Sequence, residues 1–200
     1  MPQTVLSLAA QTFDGSYDVL FAFDNPQGQW TAQAWKNLQL NYEKARQVVL
    51  RDGYAALWCV ENDMLVPPDA LAKLNETRRA HNAGIVTGLY VLRHGSGASN
   101  LFGRNLTPNV GGNMHWQEIR ANVRAGVREL PISGGCQGCT LIDRSVLEWF
   151  TFERAHNAAP DMDLMRECCA RGVKQIARLD VMCGHADGDV ILHPRDYVEA

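Results

Sequence analysis

The feature that most constrains this chain is an alternation of short apolar runs with longer amphipathic segments. Residues 19–23, 55–60 and 85–92 are apolar runs with the length of buried strands, whereas residues 32–51 carry apolar side chains at helical spacing. Alternating strands and helices are typical of α/β domains in which helices cover a parallel sheet. We therefore expect an α/β fold with a mostly parallel sheet flanked by helices.

Length and composition favour a single domain. A chain of 200 residues with 46% hydrophobic and 20% charged residues buries a core of its own without disulfides or structural metal. We expect one domain over residues 1–200, with a long loop region over residues 93–133 and a C-terminal tail over residues 186–200. Because loops of that length often carry function, Tyr90, Arg93 and Trp116 at its borders are candidates for substrate contact.

Charge and hydropathy exclude two broad classes. With 19 basic and 22 acidic residues the formal net charge is -3, so no basic field spreads over the whole chain to hold a nucleic acid, although a nucleic acid is not excluded as a substrate. The apolar runs fall far short of the roughly 20 residues of a membrane-spanning helix. The first residues lack the basic start and apolar stretch of a secretory signal, which predicts a cytoplasmic location with reduced cysteines.

Acidic side chains follow two of the predicted strands. Asp24 follows residues 19–23, and Glu61 and Asp63 follow residues 55–60. Ligands of open α/β sheets bind at the carboxyl ends of the strands. Carboxylates gathered there are stabilised by a cation, and Mg²⁺ or Mn²⁺ carrying a substrate diphosphate suits such oxygen ligands. The alternative is that these residues are solvated turns or helix caps.

Five segments, in order, resemble the family 2 glycosyltransferases, which have the Rossmann-like GT-A fold. They are SLAAQTF with the strand that ends at Asp24, Ala45-Arg46 followed by LWCVENDMLVPPDAL, then GGCQGCTLIDR, DMDLM with ARGVK, and VMCGH. The likeness runs from about residue 4 to residue 185. The chain departs from the family pattern in three places: the usual first strand and its loop have no counterpart unless residues 4–9 serve as that strand, Glu61 replaces an aspartate, and Pro160 replaces the first acid of an acidic pair.

The resemblance implies an inverting enzyme that moves a sugar from a nucleoside diphosphate sugar to a hydroxyl acceptor, which can be a glycan, lipid, protein or nucleic acid. It implies Mn²⁺ or Mg²⁺ as cofactor. It also assigns roles to particular residues: Asp161 as general base; Asp24, Arg46, Glu61 and Asp63 on the donor; Asp63, Glu61 and His185 on the metal; and Gly134, Gly135 and Asp163 on the acceptor side.

Two other interpretations stay open. One is a non-catalytic nucleotide-sugar-binding module, which the missing first strand favours. The other is a zinc-binding interaction protein, which requires two separate segments to meet in space and bring together Cys136, Cys139, Cys183 and His185.

Overall fold

The computed structural model describes residues 2–22, 32–93, 97–103, 112–154 and 160–199. The helices of these residues are α1 (Pro2–Ala9), α2 (Ala32–Asp52), α3 (Ala70–His81), α4 (Trp116–Arg124), α5 (Arg144–Leu147), α6 (Pro160–Ala170) and α7 (Arg195–Val198). The strands are β1 (Ala56–Val60), β2 (Met64–Leu65), β3 (Ile85–Leu89), β4 (Leu101–Phe102), β5 (Glu129–Pro131), β6 (Gly134–Gly135), β7 (Cys139–Asp143), β8 (Gln175–Met182), β9 (Gly184–Asp187) and β10 (Val190–Leu192).

The centre of this single domain is a mixed sheet of five strands in the order β1-β7-β3-β8-β5. Only β3 and β8 pair in parallel, while β1 with β7, β7 with β3, and β8 with β5 pair antiparallel. The expectation of a mostly parallel sheet is therefore wrong in its pairing. The reason is that β7 lies between β1 and β3 and runs opposite to both, a tertiary arrangement that strand and helix periodicity do not record.

Helices pack against the sheet through apolar side chains that recur at helical spacing. In α3, Leu71 and Leu74 are buried against the sheet, together with Val86, Leu141 and Ile176 of three strands. The helix ends where Asn82 adopts a left-handed conformation (φ 49°) and donates its N–H to carbonyls of the last turn. Asparagine tolerates this conformation better than most residues, so the helix stops here without a glycine.

Residues 19–22 do not form the predicted strand. Val19, Leu20 and Phe21 are 47%, 59% and 48% exposed, and the main sheet of the described residues ends at β1. The preceding Asp18 accepts a hydrogen bond from the Tyr54 hydroxyl, so the segment lies beside the start of β1 without pairing to it. The composition of this run suits a strand, but a strand also needs a partner to bond its backbone.

The predicted long loop and C-terminal tail both contain regular structure. Helix α4 and strands β4 and β5 lie within residues 93–133, and β10 and α7 lie within residues 186–200. The Trp116 ring stacks on the Tyr197 ring at 4.8 Å between centroids, which joins α4 to α7. These elements are short, and their stability comes from such long-range contacts more than from local periodicity. No helix of the described residues is long and apolar enough to cross a membrane.

Candidate metal centre

Three strands of the main sheet have their carboxyl ends at the same edge, where the site lies. Because β1 and β3 both run opposite to β7, and β8 is parallel to β3, the strands β1, β3 and β8 point in the same direction. Their carboxyl ends lead to Glu61 and Asp63, to residues 90–93, and to His185 respectively. Strand β7 begins at the same edge, where the Gly138 carbonyl accepts the N–H of Glu61 at 3.1 Å.

The loop that carries the two acids is fastened on both sides. The buried Thr4 of α1 donates its hydroxyl to the Asn62 carbonyl at 2.8 Å. On the other side, β2 pairs with β9 so that Met64 lies opposite His185, and the N–H of Ala186 donates to the Asp63 carbonyl at 2.9 Å. The backbone therefore fixes where the Asp63 and His185 side chains meet.

Glu61, Asp63 and His185 form a candidate metal-binding cluster, in which one ligand atom of each residue lies within 4.8 Å of the others. Asp63 Oδ1 and His185 Nε2 are 3.5 Å apart, close enough for an ion pair when the ring is protonated, and neither buried atom has a well-formed hydrogen bond. His185 Nδ1 lies 2.7 Å from the Val91 carbonyl, which can only accept, so Nδ1 carries a proton and Nε2 is the nitrogen that faces the cluster. When the ring is neutral, Nε2 presents its lone pair there. A backbone carbonyl orienting the far nitrogen is the usual support of a metal-binding histidine.

The electrostatics of the cluster favour a cation. Burial, with the charges of Asp63 and Asp161, raises the pKa of Glu61 to about 7. Burial alone would raise the pKa of Asp63, but His185 and Arg93 hold it below its ordinary value. Burial alone would lower the pKa of His185, but Asp63 and the Val91 carbonyl raise it. Two carboxylates and an imidazole form a donor set that fits Mn²⁺ or Mg²⁺.

Asp161 lies in the first turn of α6, close enough to the cluster for its charge to raise the pKa of Glu61. Its Oδ1 accepts the N–H of Met162 at 2.9 Å. Burial raises the pKa of Asp161 above its ordinary value, and Asp163 adds to the shift while the hydrogen bond from Met162 opposes it. A half-buried carboxylate with a raised pKa is the type of group that accepts a proton near neutral pH.

Two other predicted donor contacts, Asp24 and Arg46, stay predictions. Asp24 falls outside the described residues. Arg46 in α2 donates from Nε to the Leu147 carbonyl at 2.7 Å and from Nη1 to buried Glu43 at 2.8 Å. The observed contacts of Arg46 thus join α2 to α5, and its role on the donor stays a prediction.

The acceptor-side glycines have a packing reason to lack a side chain. A Cβ on Gly134 would lie 2.6 Å from Met165 Sδ, and one on Gly135 would lie 2.7 Å from Thr87 Cγ2. Asp163, the third predicted acceptor-side residue, is half-buried in α6 and pairs with Arg166 at 3.5 Å. The structure therefore explains both glycines without a ligand.

Cys136, Cys139, Cys183 and His185 all lie in the described part of the chain, and they form no metal-binding group there. The group of three or more metal-ligating side chains found there is the one with Glu61 and Asp63, and His185 belongs to it rather than to a cysteine set. Cys139 and Cys183 are buried thiols in contact with each other, and burial raises the pKa of Cys136 well above its ordinary value. Buried thiols of this kind are inert packing groups.

Sequence reasoning missed two supports of the cluster. The Val91 carbonyl that orients His185 is a backbone group, which leaves no mark on residue identity. Arg93, considered only as a substrate contact, places Nη1 2.8 Å from Asp63 Oδ2. A basic residue shortly after a strand that points to an acidic edge is the signal that predicts such a pair.

Scans against protein-family models and against curated proteins find no match. Among solved structures, the chain is similar to the crystal structure of A197 from STIV, with a TM-score of 0.57 and 16% sequence identity over 78% of this chain and 72% of A197. At this identity the likeness shows a shared fold alone.

Proposed function

We propose that this protein is a glycosyltransferase that moves a sugar from a nucleoside diphosphate sugar to a hydroxyl acceptor with the help of Mn²⁺ or Mg²⁺. The observation that carries the proposal is the metal-binding cluster at the carboxyl edge of the sheet, where Asp63 Oδ1 and His185 Nε2 are buried without a well-formed hydrogen bond. Ordered resemblance of five sequence segments to the family 2 glycosyltransferases supports the same conclusion.

In this proposal Glu61, Asp63 and His185 hold the metal at the donor diphosphate. The bound metal supplies positive charge that stabilises the departing nucleoside diphosphate. His185 stays neutral while it binds, because Val91 holds the proton on Nδ1 and leaves Nε2 available. The fixed backbone of the Glu61–Asp63 loop keeps the ligands in place, which limits the reorganisation needed when the donor arrives.

Asp161 is the proposed general base. Its carboxylate lies near the cluster yet belongs to a different element, α6, so it can face an acceptor rather than the diphosphate. Accepting the proton of the acceptor hydroxyl as the new glycosidic bond forms makes that oxygen a better nucleophile. Inversion at the anomeric carbon follows from a single displacement of this kind.

A panel of nucleotide sugars tests the proposal without knowledge of the acceptor. Each donor is incubated with the protein in the presence and absence of Mn²⁺, and the release of free nucleoside diphosphate is measured. We expect metal-dependent hydrolysis of one donor or a few related donors by the wild type, and no more than background release by Asp63→Asn. Release of nucleoside diphosphate at the same rate with and without Mn²⁺, and by the wild type and Asp63→Asn alike, contradicts the proposal.

A non-catalytic nucleotide-sugar-binding module is the second candidate. The observation that favours it is the exposed run at residues 19–22, which leaves β1 as the last strand of the described sheet. Metal-dependent binding of a donor by calorimetry, without product or hydrolysis over a full acceptor panel, is the result that identifies this module.

A further inference from the structure

Arg93 occupies an unusual place beside the metal-binding cluster. Its Nη1 lies 2.8 Å from Asp63 Oδ2, and the two side chains are 32% and 17% exposed. Asp63 therefore has one oxygen paired with a guanidinium, while its other oxygen, Oδ1, faces His185 Nε2 and has no hydrogen-bond partner. The Asp63 carboxylate therefore contacts the Arg93 guanidinium through one oxygen and the His185 ring through the other.

The segment at residues 91–93 links the two halves of this arrangement. The Val91 carbonyl orients His185, and Arg93, two residues further, pairs with Asp63. Val91 is bridged to Ser99, and the N–H of its neighbour Leu92 donates to the Ala98 carbonyl at 2.8 Å. This short, hydrogen-bonded segment therefore supplies two groups to the same site. The Val91 carbonyl orients His185, and the Arg93 guanidinium competes with a metal ion for Asp63.

Charge balance determines what Arg93 does. A guanidinium at hydrogen-bond distance from a carboxylate neutralises it, so a divalent ion arriving at Asp63 meets a weakened ligand and a like charge a few ångströms away. An anion between the two cations removes that repulsion. A diphosphate is such an anion, and the planar guanidinium donates to phosphate oxygens through paired N–H groups.

We propose that Arg93 is a positioning residue that opposes metal binding in the unliganded protein and contacts the diphosphate of the donor once metal and nucleotide bind together. The second part of this inference, the contact with the diphosphate, rests on the proposed function. It makes a nucleoside diphosphate and a divalent ion bind cooperatively, because each removes the repulsion that the other meets. In this proposal the Arg93 guanidinium, whose side chain is 32% exposed, turns from Asp63 towards the diphosphate.

Isothermal titration calorimetry of Arg93→Gln and Arg93→Lys tests the inference in two arms, MnCl₂ alone and UDP or GDP with MnCl₂ present. We expect Arg93→Gln to bind Mn²⁺ alone roughly tenfold tighter and the nucleotide roughly tenfold weaker, opposite effects that a merely structural residue does not produce. Arg93→Lys keeps the charge but loses the planar fork, so it should bind Mn²⁺ like the wild type and the nucleotide less well. Arg171→Gln, from a surface pair with Glu167 at the far end of α6, is the matched control and should change neither affinity.

The two arms separate this inference from the proposed function. If the wild type binds nucleotide with Mn²⁺ and Arg93→Gln shows the same two affinities, the role of Arg93 is wrong and the function survives. If Arg93→Gln gains Mn²⁺ affinity but neither protein binds UDP, GDP or any other nucleoside diphosphate of a panel, the competition at Asp63 is right, and the diphosphate half and the function are wrong. If neither protein binds Mn²⁺, the metal centre and this inference are both wrong.

Discussion

Asp63 and His185 face each other across 3.5 Å, each with its outer polar atom held, while the two inner atoms meet only each other and form no well-formed hydrogen bond. Arg93 holds the outer oxygen of Asp63, and the Val91 carbonyl holds the outer nitrogen of His185. Leaving two buried polar atoms without a well-formed hydrogen bond costs free energy in the unliganded protein. A metal ion that binds both atoms recovers that cost, so the arrangement favours ligand binding over the stability of the empty state.

Asp63→Asn should abolish most of the metal affinity. An amide oxygen carries no charge, so the ligand that faces His185 Nε2 becomes weak, and we expect Mn²⁺ affinity to fall at least about tenfold, in line with the effect of losing ligand support. Calorimetry with MnCl₂ measures it. Asp69→Asn is the matched control, because Asp69 forms an ion pair with Lys73 on α3 and lies outside the cluster. Equal Mn²⁺ affinity of Asp63→Asn and wild type contradicts the assignment.

Asp161→Asn should separate binding from turnover. The substitution removes the proton acceptor without touching the metal ligands, so donor affinity should stay near the wild-type value while transfer falls roughly 10²- to 10⁴-fold. Initial transfer rates and donor calorimetry measure the two quantities. Asp163→Asn, two residues further in α6 and paired with Arg166, is the comparison. A larger loss in Asp163→Asn than in Asp161→Asn moves the base to Asp163.

Gln137→Met should stabilise the unliganded protein. Gln137 is 1% exposed, and neither its amide nitrogen nor its amide oxygen has a partner among the described residues. Replacing an unsatisfied buried amide by an apolar side chain of similar shape removes a cost of about 1–3 kcal/mol. Urea denaturation of the two proteins measures the difference.

Asn100→Leu is the control for that substitution, with the opposite sign. Asn100 is a buried amide that accepts the N–H of Tyr90 and donates to the Gly88 carbonyl, both at 2.9 Å. Its loss leaves the N–H of Tyr90 without its partner and removes one of the donors to the Gly88 carbonyl, so the free energy of unfolding should decrease by about 1–3 kcal/mol. Destabilisation by both substitutions indicates that the Gln137 amide is needed for folding.

Asp143 should make the free energy of unfolding decrease as the pH falls into the acid range. Burial alone would raise the pKa of Asp143, but hydrogen bonds from Ser145 and the charge of Arg78 hold it below its ordinary value. A lowered folded-state pKa means that Asp143 stabilises the fold above its unfolded pKa of about 3.9, and that this stabilisation disappears as pH falls through the lower folded-state value. The free energy of unfolding of the wild type should exceed that of Asp143→Asn by about 1 kcal/mol at pH 7, and the difference should shrink progressively below about pH 4.

Denaturation of both proteins between neutral and acid pH measures this loss. Arg78→Gln should remove the part of this advantage that comes from the ion pair. Adding Asp143→Asn to Arg78→Gln should then cost less than adding it to the wild type, because only the hydrogen bonds from Ser145 remain to be lost. An advantage of wild type over Asp143→Asn that stays constant down to the lowest pH excludes the ionised carboxylate as its source.

Sequence patterns predicted the elements that have strong periodicity and missed those held by distant contacts. Helix α2 and strand β1 lie within a residue or two of their expected ends. The direction of β7 was not predictable, because pairing between distant strands is a tertiary property. Of the site, the acids and His185 stand out in the sequence, while the Val91 carbonyl does not, since any residue can supply a carbonyl.

The failure at residues 19–22 has a different cause. Their apolar composition predicts a strand, but composition reports what a segment can bury and not whether a partner is present to bury it. The pairing of Tyr54 with Asp18 places this segment beside β1 without a backbone ladder. Local pattern and tertiary context therefore disagree at the edge of the sheet.

The His185 imidazole and the Val91 carbonyl that orients it are 94 positions apart in the chain. Helix α1 fastens the acidic loop from one end of the described chain, and β9 closes it from near the other. A nascent chain that has been synthesised only to the end of α6 therefore contains Glu61 and Asp63 but lacks His185, which completes the cluster. Metal affinity becomes a late event of folding, and a ligand that binds only the finished cluster raises the melting temperature by mass action.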